Sequence, residues 1–338
     1  MKKISIAILC GLILFAGCNE TKKTTTIRPT PATADLYRLK PKAIDIVHAA
    51  LADKDGLIKT HAIEIVTTTN RKEMMSSVIQ LLKDKYIAVR FAAAVAIGDM
   101  KYTSGAIAVK RLLDDENENA RIAAAYALTK LKKGDYIEAI KKSLMNRNQT
   151  IRANAALLLG KLGDKNALPA LYWTLQDAKS GDMAKFQTAE AIAMLGDEKI
   201  YQRLWTLLIS QFVDDRIVGI RAMGYLNTEK AKDTIITMLD DEVPLVRLCA
   251  AEQLGRMGDN TGQVEVIEYL TKKVRIVDPD PEVMAAMAAL TARADSMAEM
   301  AIGQIGTPEL TKYLPKLIQS RSKNTRLRAA QAILMVTK

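Results

Sequence analysis

With 338 residues, the chain is long enough for one large or two ordinary domains and a sizeable core. Hydrophobic residues make up 49% but aromatics only 5%; the apolar mass is Ala, Leu, Ile, Val and Met, which excludes an aromatic-rich core and predicts closely packed helices, an all-α chain. The formal charge of +11 admits an acidic partner, nucleic acid or an anionic membrane surface, although lysines and acids are interspersed as on any solvated surface.

Chain order begins with a short positive region, Lys2-Lys3, followed by thirteen apolar or small residues, ISIAILCGLILFA at 4–16. That run is too short to span a bilayer, which needs about 20 residues. It suits the apolar region of a secretory signal, residues 1–17. Phe15-Ala16-Gly17-Cys18 resembles the lipobox of bacterial lipoproteins, with Phe15 in the place usually held by leucine. The resemblance implies acylation of Cys18, membrane anchoring through it, and a cell-envelope location. Asn19, where an Asp would favour inner-membrane retention, leans towards the outer membrane or its periplasmic face. Removal of the signal takes Lys2 and Lys3 with it and leaves a charge of +9. Cys10 leaves with the signal and Cys18 is committed to lipid, so Cys249 has no partner for an intrachain disulfide.

Residues 18–40 read as a flexible tether. The stretch NETKKTTTIRPTPATAD at 19–35 carries six threonines and two prolines and almost nothing apolar, so ordering it would gain little burial. A coil of that length spans roughly 25 Å.

From residue 41 onward the chain is periodic. Arg90, Arg121, Arg152, Lys185, Arg216 and Arg247 follow one another at intervals of 31, 31, 33, 31 and 31 residues. Each is followed by small and apolar residues, as in AAAVAIG at 92–98, NAALLLGKLGD at 154–164 and CAAEQLGRMGD at 249–259. Self-similarity at this period marks a stacked repeat. Each unit predicts two antiparallel helices, A and B. Gly163-Asp164, Gly196-Asp197 and Gly258-Asp259 read as a left-handed helix stop followed by a cap. Counted from the basic residue of helix B, positions 3, 4, 7, 10 and 11 are small or aliphatic and share a face. Alanine at positions 3 and 4 lets helices approach closely, so Ala124→Phe should strain the stack.

These strings closely resemble HEAT repeats, especially the short bacterial HEAT-like type also found in phycobilin lyases. The resemblance covers residues 41–338 and implies an α-solenoid, a superhelix of about nine two-helix HEAT-like repeats. Nine layers at roughly 10 Å each would extend about 90 Å. The family also implies a ladder in which an acid between helices A and B pairs with the basic residue. Here Asp84 precedes Arg90, Asp115 precedes Arg121 and Asp241 precedes Arg247, each by six; Asn146 and Ser210 hold that place before Arg152 and Arg216. The role of these arginines is structural.

In the family, positions 2, 5 and 9 of helix B line the concave face. Here they include Tyr126 and Lys130, Leu157 and Lys161, Met194, Arg221 and Tyr225, and Arg256. They vary from unit to unit while the core positions do not. Tyrosine and arginine are common interface anchors, so these eight residues are the candidate contacts for a protein or peptide partner. Cys249 falls on the same stripe and reads as inert filler.

After Arg247 the register slips, and residues 291–306 read as an insertion, an extra helix. Met284, Met287, Met297 and Met300 there suit gap filling or adaptable contact. His48 and His61, thirteen residues apart in separate helices, form no His-Glu pair, and no cysteine cluster suits zinc. No phosphate loop or nucleophile elbow occurs, so neither catalytic residue, metal nor cofactor is expected. Trp173 and Trp205 fall in predicted A helices, where packing is the default. Acids on the inner stripe argue against nucleic acid. The function expected is a non-catalytic scaffold or adaptor lipoprotein that binds partners through its concave face. The alternatives are a bilin-lyase-like enzyme subunit and a nucleic-acid-binding HEAT-like protein.

Overall fold

The computed structural model describes residues 31–272 and 281–338. The signal region, Cys18 and the first part of the tether lie outside the described residues. The described residues form helices joined by short turns and loops, with no strand among them. The outer helices are α1 (Pro31–Leu51), α3 (Met75–Gln80), α5 (Ala106–Arg111), α7 (Ile137–Ser143), α9 (Leu168–Gln176), α11 (Tyr201–Leu208), α13 (Glu229–Thr237), α15 (Gln263–Thr271) and the split pair α17 (Pro308–Thr311) and α18 (Leu314–Leu317). The inner helices are α2 (Gly56–Thr68), α4 (Ile87–Asp99), α6 (Glu118–Lys130), α8 (Gln149–Leu162), α10 (Asp182–Met194), α12 (Val213–Leu226), α14 (Pro244–Arg256), α16 (Pro281–Ile305) and α19 (Lys323–Val336). Each inner helix follows its outer helix in the chain, making nine repeats.

Two boundaries differ from those expected. Helix α1 begins at Pro31, ten residues before the expected edge of the solenoid, and Pro41 lies inside it. Leu36 is buried, so this part of the expected tether belongs to the fold. The extra helix expected at 291–306 does not form; those residues end the single 25-residue helix α16. Met297 and Met300 on it are buried, while Met284 and Met287 are half-buried. The slip in register is thus a longer inner helix.

Every turn from an inner helix to the next outer one passes through a left-handed residue. Gly163, Gly196, Gly258 and Gly306 have φ of 78°, 69°, 84° and 72°. At four other such turns the residue carries a side chain: Asn70, Lys101, Lys132 and Asn227, with φ of 54°, 48°, 57° and 54°. Asparagine tolerates this conformation, whereas lysine is disfavoured in it by about 1–2 kcal/mol. A second set of glycines serves packing instead. A Cβ on Gly98 would lie 2.9 Å from Ala127 Cα, one on Gly160 2.8 Å from Ala191 Cα, and one on Gly303 2.9 Å from Ala332 Cα. Backbones of neighbouring inner helices therefore touch at these points.

The stack does not run on as an open rod of about 90 Å. It closes on itself. Helix α1 packs on α19 and α18, and α19 packs on α2. Across the seam Lys40 Nζ donates to the Thr337 carbonyl, Lys323 pairs with Asp53 at 2.7 Å, and Gln331 Nε2 donates to Thr68 Oγ1 at 3.4 Å. An outer helix packs on the inner helix of the preceding repeat at several steps, as α7 does on α6, α13 on α12 and α15 on α14. The α1–α19 contact repeats that relation between the first and last repeats. Nine inner helices at about 10 Å spacing thus become the circumference of a ring.

The ladder is present with a different register from the one expected. Each arginine donates to the carbonyl of the residue six before it, as Arg90 does to Asp84 at 2.9 Å and Arg152 to Asn146 at 2.7 Å. The charged partner belongs to the next repeat, 25 residues on: Arg90–Asp115 at 2.9 Å, Arg152–Asp177 and Arg216–Asp241 at 2.8 Å, and Lys59–Asp84. Asn146 and Ser210 therefore leave Arg152 and Arg216 fully paired. Arg121, whose next-repeat acid is replaced by Asn146, bonds to the carbonyls of Asp115 and Glu116. Arg247 departs from the pattern: it bonds to the Asp241 carbonyl at 2.8 Å and pairs with Glu265 at 2.6 Å.

Candidate functional site

Closure turns the inner stripe into the lining of a lumen, and its residues meet one another there. On one side Asp99 of α4 accepts a short hydrogen bond from Tyr126 of α6 and pairs with Lys161 of α8 at 2.9 Å. Tyr126 is fully buried, and burial, followed by the charge of Asp99, holds its phenol well above the usual range. Leu157, on the same helix as Lys161, is also buried.

On the other side lie three carboxylates and three guanidinium groups. Arg221 pairs with Glu190 at 3.1 Å, and Gln187 donates to Glu190 at 2.9 Å. The Arg256 guanidinium stacks over the Tyr225 ring at 4.4 Å, and Gln253 donates to Glu252. Arg328 pairs with Glu64 across the seam at 3.5 Å and donates to Gln331 at 2.8 Å. These groups feel one another across the ring: burial pushes the Glu64 carboxyl up to about 7, with Arg328 and Arg221 opposing the rise and Glu252 adding to it. Burial also raises Glu190 and Glu252. Burial works against the charge on Arg221, but Glu190 holds it protonated. His61 on the same helix as Glu64 is pushed down to about 3 by burial and then by Arg328, so it is neutral at pH 7.

This lining is tightly enclosed. Glu64 Oε1, Glu252 Oε1, Gln253 Oε1, Arg256 Nη2 and Arg328 Nε are buried without a hydrogen-bond partner. A buried polar atom left in that state costs about 1–3 kcal/mol. The lumen is therefore a costly interior held together by the helices around it. It is not an open groove. Of the eight expected contact residues, Tyr126, Leu157 and Lys161 are buried, and Lys130, Met194, Arg221, Tyr225 and Arg256 are half-buried. The reason is tertiary: a stripe that is concave in an open solenoid becomes interior once the ends join. Cys249, expected on the exposed part of that stripe, is fully buried, and burial pushes its thiol up.

The outer surface differs from expectation in the opposite sense. Trp173 on α9 and Trp205 on α11 face solvent, 49% and 37% exposed, and do not pack inward. Ile209 and Phe212, just beyond Trp205, are 67% and 61% exposed. Their outer helices bury other residues, Leu171 and Leu175 on α9 and Leu204 and Leu208 on α11. A window of apolar residues in the sequence does not separate these two faces on so short a helix.

The two rims of the ring differ locally in charge. The rim of outer-to-inner turns holds the ladder acids together with Glu116, Asp214 and Glu242. The rim of inner-to-outer turns is mixed, with Glu73, Glu198, Glu229 and Glu309 exposed on it, but at the turns after α4, α6 and α8 it is basic: Lys101, Lys132, Lys133 and Lys165 are exposed there beside Asp135 and Asp164. On this stretch, the basic rim, lies an open depression of about 520 Å³ lined by Lys101, Lys130, Lys132, Thr103, Thr129, Leu131, Ile137, Leu162 and Asp164. Among the described residues no group of His, Cys, Asp and Glu is arranged to hold a metal ion, and no helix is long and apolar enough to cross a membrane.

Helical hairpins stacked at a near-constant period, with an arginine ladder joining them, define a repeat solenoid. The profile for HEAT repeats matches residues 44–129, 75–149 and 206–293, together more than half of the chain, and that for the PBS lyase HEAT-like repeat matches 151–177. The chain belongs to the HEAT-repeat family. No curated protein matches it by sequence. Solved structures similar to it include the complex of CpcE and CpcF of phycocyanin lyase from a Nostoc species, at 20% identity over 64% of this chain and 94% of that one with a TM-score of 0.39. Human deoxyhypusine hydroxylase in complex with glycerol is similar at 15% identity over 80% of this chain and 99% of that one, with a TM-score of 0.38. An engineered protein is similar at 16% identity over 90% of this chain and 94% of that one, with a TM-score of 0.29.

Proposed function

We propose that the protein is a non-catalytic adaptor of the bacterial envelope, anchored through acylated Cys18, whose closed HEAT ring binds a protein partner on its outer surface. The observation that carries this reading is the exposed cluster of Trp205, Ile209 and Phe212, with Trp173 on the preceding outer helix. Large apolar side chains rarely stay in water in such density unless something covers them, and tryptophan is a frequent anchor of binding energy. The inner stripe, by contrast, is enclosed by the closed ring. A non-catalytic role is supported by the burial of Cys249, whose thiol is sealed in the lumen wall.

The test is site-specific photocrosslinking in cells. A photoreactive phenylalanine analogue at position 205 or 212 should trap one and the same protein, and the analogue at position 225 should trap none. Acylation of Cys18, read by mass spectrometry from the same cells, reports on the anchor. Trapping at position 225 alone would return the partner to the inner face and refute the outer-surface reading.

A further inference from the structure

We infer that the basic rim between α4 and α8 is a membrane-facing surface that binds the headgroups of an anionic phospholipid bilayer. Three observations converge there. An open depression of about 520 Å³ brings Lys101, Lys130 and Lys132 together with the apolar Leu131, Ile137 and Leu162 and one acid, Asp164. That combination suits a phosphate group carrying glycerol and acyl carbons.

The second observation is backbone strain. Lys101 and Lys132 both hold left-handed φ, 48° and 57°, at turns where four of the other repeats use glycine. A side chain is disfavoured in that conformation, and both lysines line the same cavity. Glycine would relieve the strain, so the charge is what the position retains.

The third is where the chain enters. Helix α1 carries Lys40 to the carbonyl of Thr337 at the end of inner helix α19, which is the basic-rim side of the ring. The turn of α1 that begins at Pro31 lies on that side too, because α1 runs from there to the acidic rim. Twelve residues lie between Cys18 and Pro31, and the thirteen steps from one to the other reach about 45 Å at most when extended. An acyl anchor on Cys18 would therefore tether the ring from this rim and not from the opposite one. The inference rests on the anchor reading for its orientation only; the binding itself is a property of the rim.

The experiment uses the chain from residue 18 with Cys18→Ser, so that no acyl group contributes, in co-sedimentation with vesicles. Phosphatidylglycerol–phosphatidylcholine vesicles should bind it in a salt-sensitive way, and pure phosphatidylcholine vesicles should not. Lys101→Gln/Lys132→Gln should weaken binding about 30-fold, from two basic contacts near an anionic surface. Lys101→Gly/Lys132→Gly should lose the same binding while its melting temperature rises, which separates lost charge from lost fold. Lys54→Glu on the acidic rim should bind as the parent does. Equal binding by the parent and both double variants would overturn the inference, as would no binding to anionic vesicles or preferential retention by duplex DNA. Vesicle binding by the rim with Cys18 unacylated in cells would keep the surface and remove the anchor; acylated Cys18 without vesicle binding would do the reverse.

Discussion

Glu64→Gln separates two views of the seam that closes the ring. If the Glu64–Arg328 pair acted as a net stabilising salt bridge, removing the carboxylate would weaken the fold at every pH at which it is charged. The structure points the other way. Burial outweighs Arg328 and raises the Glu64 carboxyl from the ordinary 4.5 to about 7. A carboxyl raised on folding stabilises the fold fully below about pH 4.5, and that contribution is lost as pH climbs to about 7. The difference, at about 1.4 kcal/mol per tenfold change in proton affinity, comes to about 3 kcal/mol. Glutamine is an isostere of the protonated acid. The variant should therefore match the parent near pH 4 and exceed it by about 3 kcal/mol at pH 8. Chemical unfolding at the two pH values, followed by hydrogen exchange in α2 and α19, measures both numbers. His61 titrates in the opposite sense, losing stability as pH falls from 6.5 towards 3, but it is common to both proteins and cancels in the comparison. A variant less stable than the parent at pH 8 would refute the reasoning, because it would mean that attraction to Arg328 outweighs the cost of burying the carboxylate.

Gly160→Val should cost about 1–3 kcal/mol by overpacking, because the new Cβ would lie 2.8 Å from the Ala191 Cα; an unchanged melting temperature would deny the close approach. Ala124→Phe, at a fully buried position, should be at least as damaging and is expected to reduce soluble yield. Arg152→Met should cost about 2–3 kcal/mol, since it removes bonds to the Asn146 carbonyl, Ser180 and Asp177 together. Asp177, held below the usual carboxylate range by the Lys179 amide and then by Arg152, should then titrate closer to its ordinary value by NMR. Cys249 should resist iodoacetamide in the folded chain at pH 8 and react on unfolding in urea; labelling of the native protein would show that the lumen wall opens.

The helices were legible in the sequence because their causes are local. The spacing of Arg90, Arg121, Arg152, Lys185, Arg216 and Arg247 marks one inner helix per repeat. The glycines at 163, 196 and 258 mark where three of them stop, since little else takes a left-handed turn without cost. Alanine runs such as that at 92–94 predicted tight helix contacts, and the touching backbones at Gly98 and Gly160 are their counterpart. Which side of an outer helix faces water was harder to read: Trp173 lies between Leu171 and Leu175, and only the packing separates them. The ladder acids were visible, yet their partners lie a repeat away, and a six-residue spacing draws attention to the nearer base.

What the sequence determined by itself is the repeat unit, since propensity, capping and the 31-residue period all act within a few tens of residues. What only the tertiary structure decided is the ring. Closure depends on small rotations summed over nine units, and the same period would serve an open superhelix equally well. The contacts that set it join residues as far apart as Lys40 and Thr337, or Glu64 and Arg328. Joining the ends buries the stripe from Tyr126 to Arg256 and leaves Trp205 and Phe212 outside, because a face that is concave in an open stack becomes interior when the stack bends back to its own beginning.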